Sequence, residues 1–197
     1  MKCIDILNCN FQRSIDTKTK FLNDKNLSRI FCNVADLVLS KYKNGGRLYI
    51  FGNGGSAADS QHIAAEFVSK LSIDRESLPA EAITTNSSII TAIGNDYGFS
   101  KIFSRQLEGC ATSNDIALAI STSGNSSNIV SALKTCKQLN ISSVLFSGSD
   151  GGKAKQLADY SLLVPSRCTT TIQEVHITMA HTLCEFIESK LFRSSET

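Results

Sequence analysis

From residue 47 onward the chain alternates short apolar runs with stretches of helical spacing. The runs are "RLYIF" (47–51), "AEAITT" (80–85), "DIALAI" (115–120), "SSVLFS" (142–147) and "YSLLV" (160–164). Helices fit between them at 57–70, about 100–109, 126–138 and 152–158, and a long final helix fits 172–192. Short, largely apolar runs read as strands buried on both faces. Strands separated by helices predict an α/β fold with a five-stranded parallel sheet flanked by helices on both faces. In such sheets ligands bind beyond the carboxyl ends of the strands.

Before residue 44 the rhythm is helical only. Ile4, Leu7, Phe11, Ile15 and Leu22 recur at three-and-four spacing, as do Leu27, Ile30, Phe31, Val34, Leu37 and Val38. "NGG" (44–46) stops the second helix. With no strand between them, these helices are expected to pack outside the sheet or against another subunit. The expectation is one domain over 1–197, with a helical segment at about 1–44 and an α/β core at about 45–197. A net charge of +2 leaves no electrostatic footprint for nucleic acid. No apolar run is long enough to cross a bilayer. The first residues carry Asp5 and Arg13 and lack a small-residue cleavage site, unlike a secretion signal. Seven cysteines, an odd number without a CxxC pair, read as reduced thiols and point to the cytoplasm.

Two polar turns follow strands. "GNGGSA" (52–57) satisfies G-x-G-x-x-A, but the next strand ends in Thr84-Thr85-Asn86 and lacks the carboxylate a dinucleotide ribose needs. Neither turn ends in the Gly-Lys-Ser/Thr of a P-loop. "STSGNSSN" (121–128) crowds hydroxyls and amides around one glycine. One Ser or Thr suffices to cap a helix. Ser121, Thr122, Ser123 and Ser126 before one helix, and Ser56 at the start of another, instead suit an anion with several acceptor oxygens, such as phosphate.

His62 and Glu66 stand four apart and share a helical face. Spacing alone is equally satisfied by two surface side chains, or by half of a metal site. His176 falls on the apolar stripe of the final helix and reads as a core histidine. His181 lies off that stripe and could pair with Glu66 as acid and base if the two helices meet.

Together these stretches resemble the sugar-isomerase (SIS) domain proteins, and among them the bacterial phosphoheptose isomerases. The likeness is carried by "FGNGGSAADSQHIAAEF", "AITTNSS", "TAIGNDYGFSKIFSRQ", "ISTSGNSSNI", "SGSDGGK" and "IQEVHITMAH", in family order over nearly the whole chain. The resemblance implies a homotetramer with active sites at subunit interfaces. It implies isomerisation of sedoheptulose 7-phosphate to D-glycero-D-manno-heptose 7-phosphate through an enediolate, the entry to nucleotide-heptose synthesis. By matched motif, Ser56, Ser121, Thr122, Ser123 and Ser126 would hold the phosphate. Asn53, Gly54, Gly55, Asn95, Asp96 and Gln173 would line the sugar. Glu66 would be the base and His181 the acid. Zinc, one per subunit, would be held by His62, Glu66, Gln173 and His181. Gln173 and His181 are eight residues apart, about 12 Å along a straight helix, so both reach one metal only from a bent helix or in different copies of the site.

Two positions depart from the family pattern: Asn86 where Asp is usual and Thr171 where Arg is usual. Other SIS-domain proteins act as non-catalytic partners of the bacterial replication initiator, or isomerise other phosphosugars. The partner type lacks the acid/base pair, which this chain keeps as Glu66 and His181.

Overall fold

The computed structural model describes residues 2–193. Helices α1 (Cys3–Asn23) and α2 (Lys25–Lys43) come first. Asp24 starts α2: its carboxylate accepts from the N–H groups of Asn26 (2.9 Å) and Leu27 (3.1 Å), satisfying donors a helix start leaves free. Gly45, in the left-handed region, ends it, and the Gly46 N–H returns to the Lys41 carbonyl at 2.9 Å.

The sheet holds β1 (Leu48–Gly52), β2 (Ala80–Ala82), β3 (Ile116–Ser121), β4 (Ser142–Gly148) and β5 (Tyr160–Val164). Their order is β2-β1-β3-β4-β5 and every pair is parallel. The remaining helices are α3 (Gly55–Val68), α4 (Ser87–Tyr97), α5 (Ser104–Cys110), α6 (Ser127–Leu139) and α7 (Thr169–Leu191). Side chains alternate between the two faces of each strand. Leu48, Ile50, Leu118, Ile120 and Phe146 pack beneath α2, α3 and α7, with Phe21 of α1 joining them. Tyr49, Phe51, Ala117, Ala119 and Leu145 pack beneath α5 and α6. Phe51, Phe67 and Phe146 are wholly buried, each contributing about 1.5–3 kcal/mol by leaving water.

This strand order positions the site. From β1 the chain leaves by α3 onto one face, and from β3 by α6 onto the other. The order therefore reverses between β1 and β3, and a crevice opens there at the carboxyl ends. Both polar turns border it.

Four expectations are corrected. The second strand is residues 80–82, not 80–85. Its extension leaves the sheet, with the Thr85 hydroxyl donating back to the Ala82 carbonyl (3.2 Å) and Asn86 accepting from the Ile89 N–H (3.0 Å) to cap α4. Helix α4 was not expected. It carries Ile89, Ile90 and Ile93, yet none of its residues is buried. The helix expected at 152–158 is a single 3-10 turn, Ala154–Gln156, because Gly151 and Gly152 both take positive φ just before it. The final helix begins at Thr169, slightly earlier than its apolar stripe suggests.

On α1 the side chains of Ile4, Leu7, Phe11, Ile15 and Leu22 are exposed. No helix of the described residues is long and apolar enough to cross a membrane.

Candidate active site

The turn from β1 into α3 is built on close approach. Gly54 sits at φ +57°, ψ −122°, a conformation open to glycine. A Cβ on Gly52 would lie 2.7 Å from Ser56 Cβ and 2.9 Å from the Ile120 carbonyl oxygen. Gly54 makes no side-chain cap; instead the Ser56 N–H donates to the Asn53 carbonyl (3.0 Å) and the Ala57 N–H to the Gly54 carbonyl (3.0 Å). Ser56 is buried at the edge of this turn.

The turn from β3 into α6 is built on hydroxyls. Ser121 Oγ accepts from the Gly124 N–H (3.1 Å) and Ser123 Oγ from the Asn125 N–H (3.2 Å). Each hydroxyl is thereby fixed as an acceptor and keeps its own O–H to donate. Ser126 occupies the N-cap position of α6 but makes no capping bond. The hydroxyls here are therefore not consumed by capping. The segment 148–154 clamps this turn from behind. Gly148 N–H donates to the Thr122 carbonyl (3.1 Å), Ala154 N–H to the Gly124 carbonyl (2.9 Å) and Lys153 N–H to Asn125 Oδ1 (3.2 Å). Gly124 lies so close to the Gly151 carbonyl that no side chain fits at position 124. A cavity of about 240 Å³ beside the clamp is lined in part by Thr122, Ser123, Asp150 and Arg167.

An amide pair joins the two turns. Asn53 Nδ2 donates to Asn128 Oδ1 (2.9 Å), and Asn128 Nδ2 donates to Asn53 Oδ1 (2.8 Å). Asn128 Oδ1 also accepts from the Ile129 N–H at 2.9 Å. Asn128 is buried, and this role was not foreseen, although it closes the "STSGNSSN" stretch.

Helices α3 and α7 run side by side in the same direction. Gly55 touches Gln173, His62 meets His181, and the Cys184 thiol approaches the Glu66 carbonyl. Both helices leave carboxyl ends of parallel strands on one face of the sheet, so their direction is shared. The two helices that had to meet for an acid/base pair thus do meet. His62 Nε2 lies 3.1 Å from Glu66 Oε1 and 3.5 Å from His181 Nε2. One atom from each of the three residues falls within 4.8 Å of the others. His62 is 48% exposed and Glu66 21% exposed, so the trio opens to solvent.

The donor set fits a zinc ion. Ligands 2.0–2.2 Å from one tetrahedral metal lie about 3.3–3.6 Å from each other, close to the separations found. Two imidazoles and a carboxylate also match the three-ligand pattern that leaves one position open. Gln173 is apart from them. It abuts Gly55, and His62 stands seven residues further along α3, about 10 Å. Asn95 and Asp96 pair with each other (2.8 Å) on the exposed last turn of α4.

Other titratable groups have clearer roles. His176 is fully buried and Nε2 donates to the Ser147 carbonyl (3.2 Å), as a core histidine would. Burial lowers its pKa to about 4, so it is neutral. Asp59, one turn before His62, has a buried oxygen without a hydrogen-bond partner. Burial holds its carboxyl above the usual range, against the pull of His62. Asn86 is the α4 cap, a place where Asn and Asp are interchangeable. Thr171 is buried in the first turn of α7.

Comparison with known proteins agrees with this architecture. The family model for the SIS domain matches residues 10–147. The phosphoheptose isomerase of Aneurinibacillus thermoaerophilus is 47% identical over 190 residues, 96% of each chain. Phosphoheptose isomerase 2 of Campylobacter jejuni is 48% identical over 92% of this chain and 90% of its own. The solved phosphoheptose isomerase from Francisella tularensis superposes with a TM-score of 0.92 at 35% identity, covering 96% of this chain and all of that one. The Neisseria gonorrhoeae structure gives 0.89 at 37% identity, over 95% of this chain and all of that one. With family profile, full-length relatives and solved folds in agreement, the chain belongs to the SIS domain family and, within it, to the phosphoheptose isomerases.

Proposed function

We propose that this chain converts sedoheptulose 7-phosphate to D-glycero-D-manno-heptose 7-phosphate, the first step of nucleotide-activated heptose synthesis. The observation that carries the reading is the convergence of Glu66, His62 and His181 where α3 and α7 meet. A ketose-to-aldose isomerase needs one base that serves two adjacent carbons. Glu66 takes a proton from C1 of the ketose, and His181 supplies one to the carbonyl oxygen at C2, giving a neutral enediol or its enediolate. The Glu66 proton returns to C2 and the C1 hydroxyl gives its own back to His181, leaving the aldehyde and both groups as they began. Atoms and charge balance with no external reagent.

The remote phosphate supplies binding energy and register. Ser56, Ser121, Thr122, Ser123 and Ser126 hold it, aided by the positive ends of the α3 and α6 dipoles. Asn53, Gly54, Gly55, Asn95, Asp96 and Gln173 line the sugar. His62, Glu66 and His181 would hold zinc, one per subunit; Gln173, apart from them in one chain, would reach a metal only from a neighbouring copy. Zinc when bound polarises the substrate oxygens and steadies their developing charge.

The site works in a homotetramer, shared between subunits. The exposed apolar stripe of α1, and Ile89 and Tyr97 exposed on α4, support this, because both helices leave apolar surface in need of cover. The test is a coupled assay of purified protein against a panel of ketose phosphates, with and without a zinc chelator. Turnover of sedoheptulose 7-phosphate above the rest, reduced by chelation, is expected. Turnover of no ketose phosphate would favour a non-catalytic binding role.

A further inference from the structure

The C-terminal end of α3 carries an ion pair that the acid/base reading does not use. Arg75 and Glu188 are 0% and 1% exposed at their side chains and meet at 2.9 Å. Glu188 is fully engaged. Its carboxylate accepts from the N–H groups of Leu71 (2.8 Å) and Ser72 (3.1 Å), the Ser72 hydroxyl (2.9 Å) and Arg75 Nε. Arg75 then turns its remaining nitrogens to the end of α3. Nη2 donates to the Glu66 carbonyl at 2.8 Å and Nη1 to the Phe67 carbonyl at 2.8 Å. The Cys184 thiol reaches the same Glu66 carbonyl at 3.6 Å.

The last carbonyls of a helix have no partner within it. Here one guanidinium satisfies two of them, and it is anchored through Glu188 to α7, the helix that carries His181. We infer that Arg75 is a positioning residue for Glu66, with Glu188 as its anchor: the pair fixes the last turn of α3 against α7 and so sets where the Glu66 carboxylate stands relative to His181. Its planar fork suits this task, because a lysine ammonium cannot reach two carbonyls and a carboxylate in one fixed plane. The inference rests on the reading of Glu66 as the base, and the experiment separates the two.

Arg75→Lys keeps the charge opposite Glu188 and loses the fork. Displacing a catalytic group by about 1 Å costs on the order of 10²-fold. Arg75→Lys should therefore lower kcat on sedoheptulose 7-phosphate by about that factor, with KM within about twofold. Glu188→Asp, which shortens the anchor by one methylene, should show a smaller loss of the same kind. The deciding measurement repeats both variants in a Glu66→Gln background. If the pair acts through Glu66, neither should slow that enzyme further, whereas an independent structural role would multiply the losses. Equal losses in both backgrounds would overturn the inference, as would full kcat in folded Arg75→Lys. Failure of both variants to fold would also overturn it, by making the pair a requirement of the fold. Should Glu66→Gln itself turn over at the parent rate, the base assignment falls instead.

Discussion

The two strand-to-helix turns at the switch point solve one problem in opposite ways. Both bring a helix start to the carboxyl edge of the sheet. The turn after β1 does so by removing side chains, with Gly52 pressed against the Ile120 carbonyl, Gly54 at positive φ and Gly55 against the Gln173 side chain. The turn after β3 does so by adding them, with hydroxyls already held in place by backbone N–H groups. The first leads into the helix that bears His62 and Glu66. The second leads into a helix, α6, that contributes nothing to that trio. Under the proposed function the difference is a division of labour, with one turn admitting substrate toward the reacting groups and the other gripping its inert end.

Three substitutions test that division. The largest effect is expected at the end of the glycine-turn helix: Glu66→Gln should lower kcat by about 10²–10⁴-fold, the usual range for general acid–base catalysis. Steady-state kinetics should show KM nearly unchanged, because the hydroxyl turn is untouched. A variant that loses affinity instead would blur the division. Next, Gly52→Ala should destabilise the fold by about 1–3 kcal/mol, the range for overpacked sites, since Ser56 and the Ile120 carbonyl leave no room. Thermal unfolding that matches the parent would show that the turn tolerates a side chain after all. The smallest effect belongs to the hydroxyl turn. Ser123→Ala removes one neutral donor, worth about 0.5–1.5 kcal/mol. KM should rise by about 2–10-fold at constant kcat. A fall in kcat with KM unchanged would place Ser123 among the groups that act in the transition state.

The sheet was legible in the sequence because buried parallel strands read as apolar runs without alternation, as "DIALAI" does. The core histidine and the shared face of His62 and Glu66 followed from periodicity. Helix α4 was not legible. Its isoleucines have helical spacing, but Ile90 and Ile93 are only partly buried against the core and Ile89 is exposed, and the polar "TTN" before it reads as strand end as readily as cap. The 3-10 turn at 154–156 was over-read as a helix because two glycines just before it take the chain through positive φ. The meeting of α3 with α7 depends on sheet order, which no local pattern carries. The same holds for Arg75 with Glu188 and Asn53 with Asn128, pairs separated by 113 and 75 residues. The wide gap between Gln173 and His181 was legible, because helix rise alone sets it.

The clamp behind the hydroxyl turn has a thermodynamic consequence. Binding ordinarily loses free energy to the ordering of side chains and loops. Here segment 148–154 holds the turn through three hydrogen bonds and a glycine-to-backbone contact before any anion arrives. The entropy of shaping this cradle is therefore spent during folding, when the strands that flank it assemble. On the proposed reading of this turn as the phosphate cradle, anion capture resembles filling a cast mould. Amide protons at 124 and 154 should exchange slowly with solvent deuterium in the ligand-free protein, and change little when phosphate is added.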